Sequence, residues 1–299
     1  MYKNFQNLNV LISGASGFIG KNLVNKLSVL GSNITILLHN NLDIENEVEK
    51  IVFDGSYESL YSPLKDKKID VVIHLATYFL ANHKGEQLDN LIDSNVKFGT
   101  FLLELTKQKK IPYFINTSTY AQSYNNINYS PQNLYSATKQ AFETIMKYYE
   151  ETSNSRFVTL ELTDTYGPGD PRPKFINLVL NAISKGGVFN MSEGEQEICY
   201  LFIEDAVDAY VKCIDMLTSN EIISNTKYSV FSDEVYKLKD LVDEVCNILE
   251  IKIETNRGYY PYRDREIMKF KPTYPILTNW ASKISLKEGL KIMTKIPTK

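Results

Sequence analysis

Tyr135 and Lys139 are the residues of this sequence whose types and spacing best suit acid–base chemistry. They lie four positions apart, about one helical turn, so a phenol and an ammonium group would project from one helix face. With 20 tyrosines and 28 lysines in 299 residues, about two such pairs arise by chance, and the chain contains two. The second pair, Tyr61 and Lys65, encloses Pro63, which disrupts a helix interior. The spacing alone therefore does not identify a site.

The context of Tyr135 separates it from the second pair. Residues 132–151 favour a helix that would carry Tyr135. In addition, Gly14, Gly17 and Gly20 directly follow the apolar run at 9–13. A strand, a glycine turn and a helix together direct backbone amides toward a pyrophosphate. The spacing is G-x-x-G-x-x-G, and Ala15 stands where the classical fingerprint has its second glycine. We expect a dinucleotide site here; the alternative is a tight turn with close helix packing.

The first half of the chain alternates short apolar runs with helical patterns. Continuously apolar strands that alternate with helices are typical of a parallel sheet covered on both faces. The sequence therefore predicts a doubly wound α/β fold of the Rossmann type. The expected strands lie near 8–13, 34–38, 51–53, 71–75, 113–117 and 157–162, and the helices near 17–30, 86–107 and 132–151.

Glycine and proline breakers at 166–173 interrupt this alternation. We place a boundary there, with a dinucleotide-binding domain at 1–166 and a smaller α/β substrate-binding lobe at 167–299. Residues 201–231 are expected to pack back on the first sheet. Helices are expected near 175–185, 203–217 and 237–249, and a strand near 227–230.

Composition narrows the classes of partner. The net charge of -3 and the pI near 5.8 offer no basic field to nucleic acid. The sequence shows no secretory apolar core and no run that could span a bilayer, so we expect no membrane partner and a cytoplasmic location. Three scattered cysteines and three unpaired histidines do not suggest a metal centre. Demanding chemistry would need an organic cofactor.

The end of the second predicted strand bears on the choice of nicotinamide cofactor. NAD sites usually place an Asp or Glu there to bind the ribose hydroxyls. This strand is followed by His39 and Asn40, and neither would repel a 2′-phosphate. We therefore expect NADP rather than NAD. An ordinary surface role for His39 is the alternative.

Motifs along nearly the whole chain resemble the extended short-chain dehydrogenase/reductase family of nucleotide-sugar epimerases, dehydratases and reductases. In chain order they are the glycine loop at 14–20, Asp54-Gly55, His74-Leu-Ala-Thr77, Asn95-Val-Lys-Phe-Gly-Thr100, Asn116-Thr-Ser118-Thr119, Tyr135 with Lys139, and Tyr166-Gly-Pro-Gly-Asp170. Residues 14–22, 74–77, 166–176, 194–196 and 202–205 are most similar to its CDP-abequose synthase and dTDP-4-keto-6-deoxyglucose reductase group.

The resemblance implies a role for each matching residue. Ser118, Tyr135 and Lys139 would be catalytic. Besides Tyr135 and Lys139, the implied cofactor contacts are Gly14, Ser16, Gly17, Phe18, Ile19, Gly20, His39, Asn40, Asp54, Gly55, Leu75, Ala76, Thr77 and Asn95. The implied substrate contacts are Thr119, Tyr120, Asp164, Lys174, Phe175 and Arg263. The Lys139 ammonium would favour the Tyr135 phenolate. A homodimer paired through the helices at 86–107 and 132–151 is also implied.

The residues after Ser118 narrow the implied reaction. The 4,6-dehydratases of this family carry an Asp-Glu pair there, whereas this chain has Thr119-Tyr120. The hypothesis is an NADPH-dependent reductase of the C4 ketone of a nucleotide-linked 4-keto-6-deoxy or 3,6-dideoxy sugar, acting in bacterial polysaccharide synthesis (lipopolysaccharide or capsule). An epimerase at C4 that retains NAD is the first alternative, and a non-catalytic dinucleotide-binding regulator is the second.

Some positions depart from the family pattern. Ile198 stands where an arginine commonly binds the substrate diphosphate, so Arg263, Lys174 and Arg172 become the candidates for that contact. A solvated charged turn is the alternative for Arg263. Glu161 replaces a common arginine, and Asp164 stands where Asn or His is usual. These departures leave the nucleotide and the sugar open.

Overall fold

Strands and helices alternate along most of the chain, which the computed structural model describes at residues 5–39, 48–222 and 225–294. In chain order the elements are β1 (Asn9–Ser13), α1 (Phe18–Val29), β2 (Asn33–Leu38), β3 (Glu49–Val52), α2 (Tyr57–Tyr61), β4 (Val71–His74), α3 (Leu88–Ile92), α4 (Phe98–Gln108), β5 (Tyr113–Thr119), α5 (Leu134–Thr152), β6 (Arg156–Leu162), β7 (Asp164–Tyr166), α6 (Phe175–Lys185), β8 (Val188–Asn190), β9 (Glu197–Phe202), α7 (Ile203–Thr218), β10 (Thr226–Val230), β11 (Val235–Lys237), α8 (Leu238–Leu249), β12 (Glu254–Asn256) and α9 (Leu286–Thr294).

The main sheet has seven strands in the order β10-β6-β5-β4-β1-β2-β3, and every neighbouring pair is parallel. Six of them follow the classical dinucleotide-binding order, and β10 adds a seventh strand beside β6. The predicted doubly wound α/β fold is confirmed. The strand order reverses between β1 and β4, where such sheets form their ligand crevice.

Helices cover both faces of this sheet. Val10 and Ile12 of β1 pack into the apolar core that includes buried residues of α1 and α7. Leu11, between them, points to the opposite core with Leu102 of α4 and Phe142 of α5. Successive side chains of a strand face opposite sides, so a strand buried on both faces must be apolar throughout. This explains the continuous apolar runs in the sequence.

The predicted helix at 86–107 contains an irregular turn. Helices α3 and α4 are joined by a π-helical turn at Asp93–Lys97. Such turns are wider than α-helical turns and often occur at functional sites. Asn95, inside this turn, is buried.

The second half forms smaller units beside the main sheet. Strands β11, β9 and β7 form one sheet, β12 and β8 form another, and α6, α8 and α9 accompany them. Between these units the chain returns to the first half, because α7 packs on α1 and β10 pairs with β6. None of the helices in the described ranges combines the length and apolar composition needed to cross a membrane.

Candidate active site

A cavity of about 620 Å³ opens at the carboxyl ends of the central strands. The residues predicted from sequence that line it are Gly14, Ser16, Gly17, Phe18, Ile19, Gly20, His39, Gly55, Leu75, Ala76, Thr77, Ser118, Thr119, Tyr120, Tyr135, Asp164 and Lys174. Asp54, Asn95, Lys139, Phe175 and Arg263 are not part of its lining. Asn40 lies outside the described residues. The structure thus brings most of the predicted residues to one cavity.

The glycine loop allows close approach of the backbone at one end of this cavity. Gly14 has a φ of +75°, and a Cβ there would lie 2.5 Å from the backbone nitrogen of Ala76. A Cβ on Gly20 would overlap the carbonyl oxygen of Gly14. Helix α1 then begins after Gly17 with no side-chain cap and no acidic residue in its first turn. An uncapped helix start with these features attracts an anion such as a pyrophosphate.

The far end of the cavity is aromatic. Phe53, Phe98 and Phe101 line it, and the rings of Phe53 and Phe98 are 4.7 Å apart. Lys97 lines the same end as part of the π-helical turn. These residues were not predicted from the sequence, although the position of Phe53 directly before the Asp54-Gly55 motif was an available signal.

Tyr135 lies in the cavity wall at the start of α5. Asn133 caps this helix, since its side chain accepts a 2.9 Å hydrogen bond from the backbone of Ser136. The Tyr135 ring packs edge-on against Phe79, with the ring centroids 4.9 Å apart. Burial raises the pKa of Tyr135 to about 12, and the hydrogen bond with Thr77 opposes this only in part. The expected phenolate is therefore not favoured, because loss of hydration outweighs nearby positive charge.

Lys139 lies one turn further along α5 and is 3% exposed. Burial lowers its pKa to about 8, and the charge of Glu143 opposes this shift. Behind it, His74 is fully buried, and its Nδ1 lies 2.7 Å from the Ser13 hydroxyl. Burial lowers the His74 pKa well below its usual value, and the positive charge of Lys139 lowers it further. The imidazole is therefore neutral beside the lysine.

The Asn95 side chain makes four hydrogen bonds close to the cavity. Its Oδ1 accepts hydrogen bonds from the Thr77 hydroxyl at 3.0 Å and from the Tyr78 backbone at 2.7 Å. Its Nδ2 donates to the Tyr78 carbonyl at 3.0 Å and to the Thr138 hydroxyl at 2.9 Å. This amide therefore ties the turn after β4 to α5.

The opposite wall carries a charged pair. Lys174 Nζ lies 2.5 Å from Asp164 Oδ1, and the Tyr120 hydroxyl donates to Oδ2 at 3.2 Å. Burial alone would raise the pKa of Asp164, but Lys174 and Tyr120 together hold it below its usual value. The Lys174 ammonium also lies 4.8 Å from the centre of the Phe79 ring. These side chains offer both charges to a polar ligand beside Tyr135.

Arg172 lines the cavity near the glycine loop. Its guanidinium carbon lies 4.7 Å from the centre of the Phe18 ring. Its Nε and one terminal nitrogen bind the Asp170 carboxylate at 2.7 and 2.9 Å, and that terminal nitrogen also donates to the Thr165 carbonyl. The charge of Arg172 is thus held at the cavity by a fixed carboxylate.

The structure places the remaining predicted residues away from this lining. The Asp54 carboxylate accepts a hydrogen bond from the backbone of Ser56 at 2.8 Å, which lowers its pKa. Phe175 packs against Phe189. The backbone of Arg263 donates to Glu266. A neighbouring arginine that the sequence analysis did not select, Arg265, joins the second half to residues 124–131 through Tyr124, Ser130 and Pro131.

The sheet order, the glycine loop and the Tyr–Lys helix define a protein of the dinucleotide-binding short-chain dehydrogenase/reductase class. The sequence matches the NAD dependent epimerase/dehydratase family over residues 10–225. The chain belongs to this family. Within the described residues, no group of three or more His, Cys, Asp or Glu side chains is placed to hold a metal ion.

Individual relatives cover nearly the whole chain. The protein is 28% identical to CDP-abequose synthase of Salmonella typhimurium over 96% of this chain and 97% of that protein. UDP-glucose 4-epimerase of Thermotoga maritima, solved with UDP-glucose, has a TM-score of 0.84 at 19% identity and covers 96% of this chain and 98% of that one. The Thermus thermophilus UDP-glucose 4-epimerase, solved with NAD, has a TM-score of 0.78 at 18% identity and the same coverage. These structural matches show the fold.

Proposed function

We propose that this protein is an NADPH-dependent reductase of the C4 ketone of a nucleotide-linked 4-keto-6-deoxy or 3,6-dideoxy sugar. The observation that carries the proposal is that Tyr135 shares one cavity with Ser118 and the glycine loop. The similarity to CDP-abequose synthase supports a nucleotide-sugar substrate. The reaction would be a step in making precursors of a bacterial polysaccharide, such as lipopolysaccharide or capsule, in the cytoplasm.

The residues present fit a dinucleotide. Gly14 and Gly20 leave room that a Cβ would fill, and the uncapped start of α1 suits the pyrophosphate. Phe53 and Phe98 offer an apolar surface for the adenine, and Leu75, Ala76 and Thr77 border the path between the two ends. When bound, the reduced nicotinamide would supply a hydride to the substrate carbonyl carbon.

The proposed preference for NADP depends on the end of β2. His39 lines the cavity at that point, and it is not a carboxylate that would repel a 2′-phosphate. Asn40, the second residue of this hypothesis, follows it in sequence. Comparing the affinities for NADPH and NADH tests this part independently of the sugar.

The chain's own residues supply the proton chemistry. Tyr135 is protonated at neutral pH, as a phenol with the ordinary pKa of about 10 already is, and burial raises its pKa further, to about 12. It can therefore donate that proton to the carbonyl oxygen of the sugar. Ser118, also in the wall, would hydrogen-bond the same oxygen and orient the carbonyl. Lys139 would donate hydrogen bonds to the cofactor ribose from behind Tyr135. Reduction needs an acid at this oxygen, which a protonated tyrosine provides.

Substrate recognition is proposed for the opposite wall. Tyr120, Asp164 and Lys174 are linked to one another there, and Thr119 lies beside them in the lining. A carboxylate and an ammonium group can each hydrogen-bond sugar hydroxyls or phosphate oxygens. Phe175 and Arg263 remain part of the proposed substrate surface in the second half.

The test is a panel assay with the purified protein. Oxidation of NADPH and NADH is followed against CDP-, dTDP- and GDP-linked 4-keto-6-deoxy and 3,6-dideoxy sugars. The expected result is turnover of at least one of them that requires added NADPH. No turnover with any of them would contradict 4-keto reduction. Tightly bound NAD in the purified protein, together with interconversion of C4 epimers, would favour the epimerase instead.

We also propose that the protein acts as a homodimer paired through the helices expected at 86–107 and 132–151, which in the structure are α3 and α4 with the turn between them, and α5. The outer face of α5 carries Tyr148, a large aromatic residue that is 57% exposed. Light scattering during gel filtration measures the mass. A mass of one chain at micromolar concentration would contradict the dimer.

A further inference from the structure

A buried carboxylate, Glu143, and its partly exposed counter-ion, Lys227, lie next to Lys139 and are not used by the proposed mechanism. Glu143 is one helical turn beyond Lys139 on α5, so the two side chains share a helix face. Both are almost fully buried, at 3% exposure for Lys139 and 5% for Glu143. A carboxylate in such a position interacts strongly with the ammonium group because little water screens the two charges.

Glu143 has its own counter-ion on another element. Its Oε2 lies 2.5 Å from Lys227 Nζ, which β10 brings to α5 from the edge of the main sheet. Its other oxygen, Oε1, is buried without a hydrogen-bond partner among the described residues. Lys227 also lies 5.3 Å from the centre of the Tyr274 ring, so the cation is held from two sides. The position of the carboxylate is therefore fixed from outside the catalytic helix.

We infer that the Glu143–Lys227 pair is a positioning device that sets how strongly Lys139 holds its charge inside the protein. Glu143 supplies the negative charge that stabilises the buried ammonium, and the opposite charge of Lys227 limits how strongly Glu143 attracts Lys139. Removal of Glu143 should therefore favour the neutral amine of Lys139, whereas removal of Lys227 should favour its ammonium form. This inference rests on the proposed function, in which Lys139 binds the cofactor ribose.

The charged and titratable groups around this device come from several elements. Burial makes the Lys139 amine easier to deprotonate, with a pKa of about 8, and Glu143 opposes this. Burial also raises the pKa of Glu161 on β6, and Glu143 adds to that shift. Tyr135 precedes Lys139 by one helical turn and His74 faces Lys139, whereas Lys227, Glu161 and Tyr274 face Glu143. The charge that favours the ammonium form of Lys139 is that of Glu143.

The experiment measures binding of the reduced dinucleotide by its fluorescence, and turnover, from pH 6 to 10. Deprotonation of Lys139 should weaken binding at alkaline pH by about 5-fold, because a charge-assisted hydrogen bond becomes a neutral one. In Glu143→Gln the midpoint of this loss should move about 1 unit to lower pH. In Lys227→Gln it should move to higher pH. Glu151→Gln, an exposed change of the same kind on α5, should leave it in place.

Opposite shifts in the two variants separate an electrostatic role from a merely structural one, which would lower binding at every pH without moving the midpoint. Unchanged midpoints, or shifts of both variants in one direction, would overturn the inference. If Glu143→Gln does not fold, the upward shift in Lys227→Gln decides alone. Wild-type protein that binds neither reduced dinucleotide would overturn the proposed function as well, whereas binding with unshifted midpoints overturns only the charged pair's role.

Discussion

The side-chain amide of Asn95 donates a 2.9 Å hydrogen bond to the hydroxyl of Thr138, which lies between Tyr135 and Lys139 on α5. Thr138 in turn donates to the Tyr135 carbonyl at 2.7 Å. The turn that carries Thr77 and Tyr78 is thereby joined to the helix that carries Tyr135 and Lys139. The turn and the helix are thus held together as one unit.

Thr138→Val should weaken this unit. The substitution keeps the shape of the side chain but leaves a buried amide proton of Asn95 without its acceptor, which costs about 1–3 kcal/mol. We expect a melting temperature lower by about 2–4 °C for each kcal/mol lost, and weaker cofactor binding. Thr144→Val is the control, because that exposed hydroxyl bonds only within α5. Equal effects of the two changes, in a thermal melt and a binding titration, would contradict this role of the Asn95–Thr138 hydrogen bond.

Tyr135→Phe should lower turnover by about 10²–10⁴-fold while cofactor binding persists, because only the transferable proton is removed. The measurement is steady-state oxidation of the reduced dinucleotide together with its binding constant. Tyr61→Phe is the matched control, since Tyr61 belongs to the other Tyr–Lys spacing and lies in α2. Turnover of Tyr135→Phe at the wild-type rate would exclude Tyr135 as the proton donor.

Gly14→Ala should abolish dinucleotide binding. The new methyl group would lie 2.5 Å from the Ala76 backbone, at a φ of +75° that L-residues rarely adopt. Gly85→Ala, where a Cβ meets nothing within 4 Å, is the control and should bind normally. Fluorescence titration compares the two, with circular dichroism to check folding. A folded Gly14→Ala protein of normal affinity would show that the cofactor does not use this loop.

Lys174→Met should raise the KM for the sugar nucleotide by about 10–100-fold, the loss expected for a charged hydrogen bond. Cofactor affinity should not change, and Lys185→Met, at the exposed end of the helix α6 that Lys174 precedes, should be neutral. Lys174→Met alone also leaves the Asp164 carboxylate without its counter-ion. Combining it with Asp164→Asn should therefore reverse part of the rise in KM. An unchanged KM would remove Lys174 from the substrate site.

Glu161→Gln should stabilise the protein at neutral and alkaline pH. Burial raises the pKa of Glu161 above 4.5, so the folded state retains a proton that the unfolded state releases. Wild-type stability therefore falls as the pH rises above 4.5, and a neutral glutamine avoids this loss. Its carbonyl can still accept from Ser229, as Glu161 does at 2.7 Å. Thermal melts of the variant and the wild type at pH 4 and pH 8 test this expectation. A gain in melting temperature of equal size at both pH values would contradict the explanation.

The central strands of the main sheet could be predicted because they are buried on both faces and must be largely apolar. The small sheet of β7, β9 and β11 could not. Its middle strand begins with the half-buried Glu197 and Ile198, and its partners lie in distant segments. The π-helical turn at Asp93–Lys97 also escaped prediction, since its hydrophobic period differs little from that of an α-helix.

The candidate site was predictable where its geometry depends on residues that are close together in the sequence. The glycine loop and Tyr135 line the cavity as expected because their spacing sets their geometry. Contacts made by tertiary structure were not accessible: Lys227 reaches Glu143 across 84 positions, and the sequence contains no local signal for it. The Tyr135 pKa was misjudged for the same reason, since burial depends on the whole fold.

The place of β10 in the sheet has a consequence for how the protein is made on the ribosome. Strand β6 has no neighbour on its outer side until residues 226–230 have left the exit tunnel. Until then the nascent chain carries an open strand edge, the feature that promotes pairing with other chains. A protein truncated before β10 should therefore aggregate even though it contains both Tyr135 and Lys139.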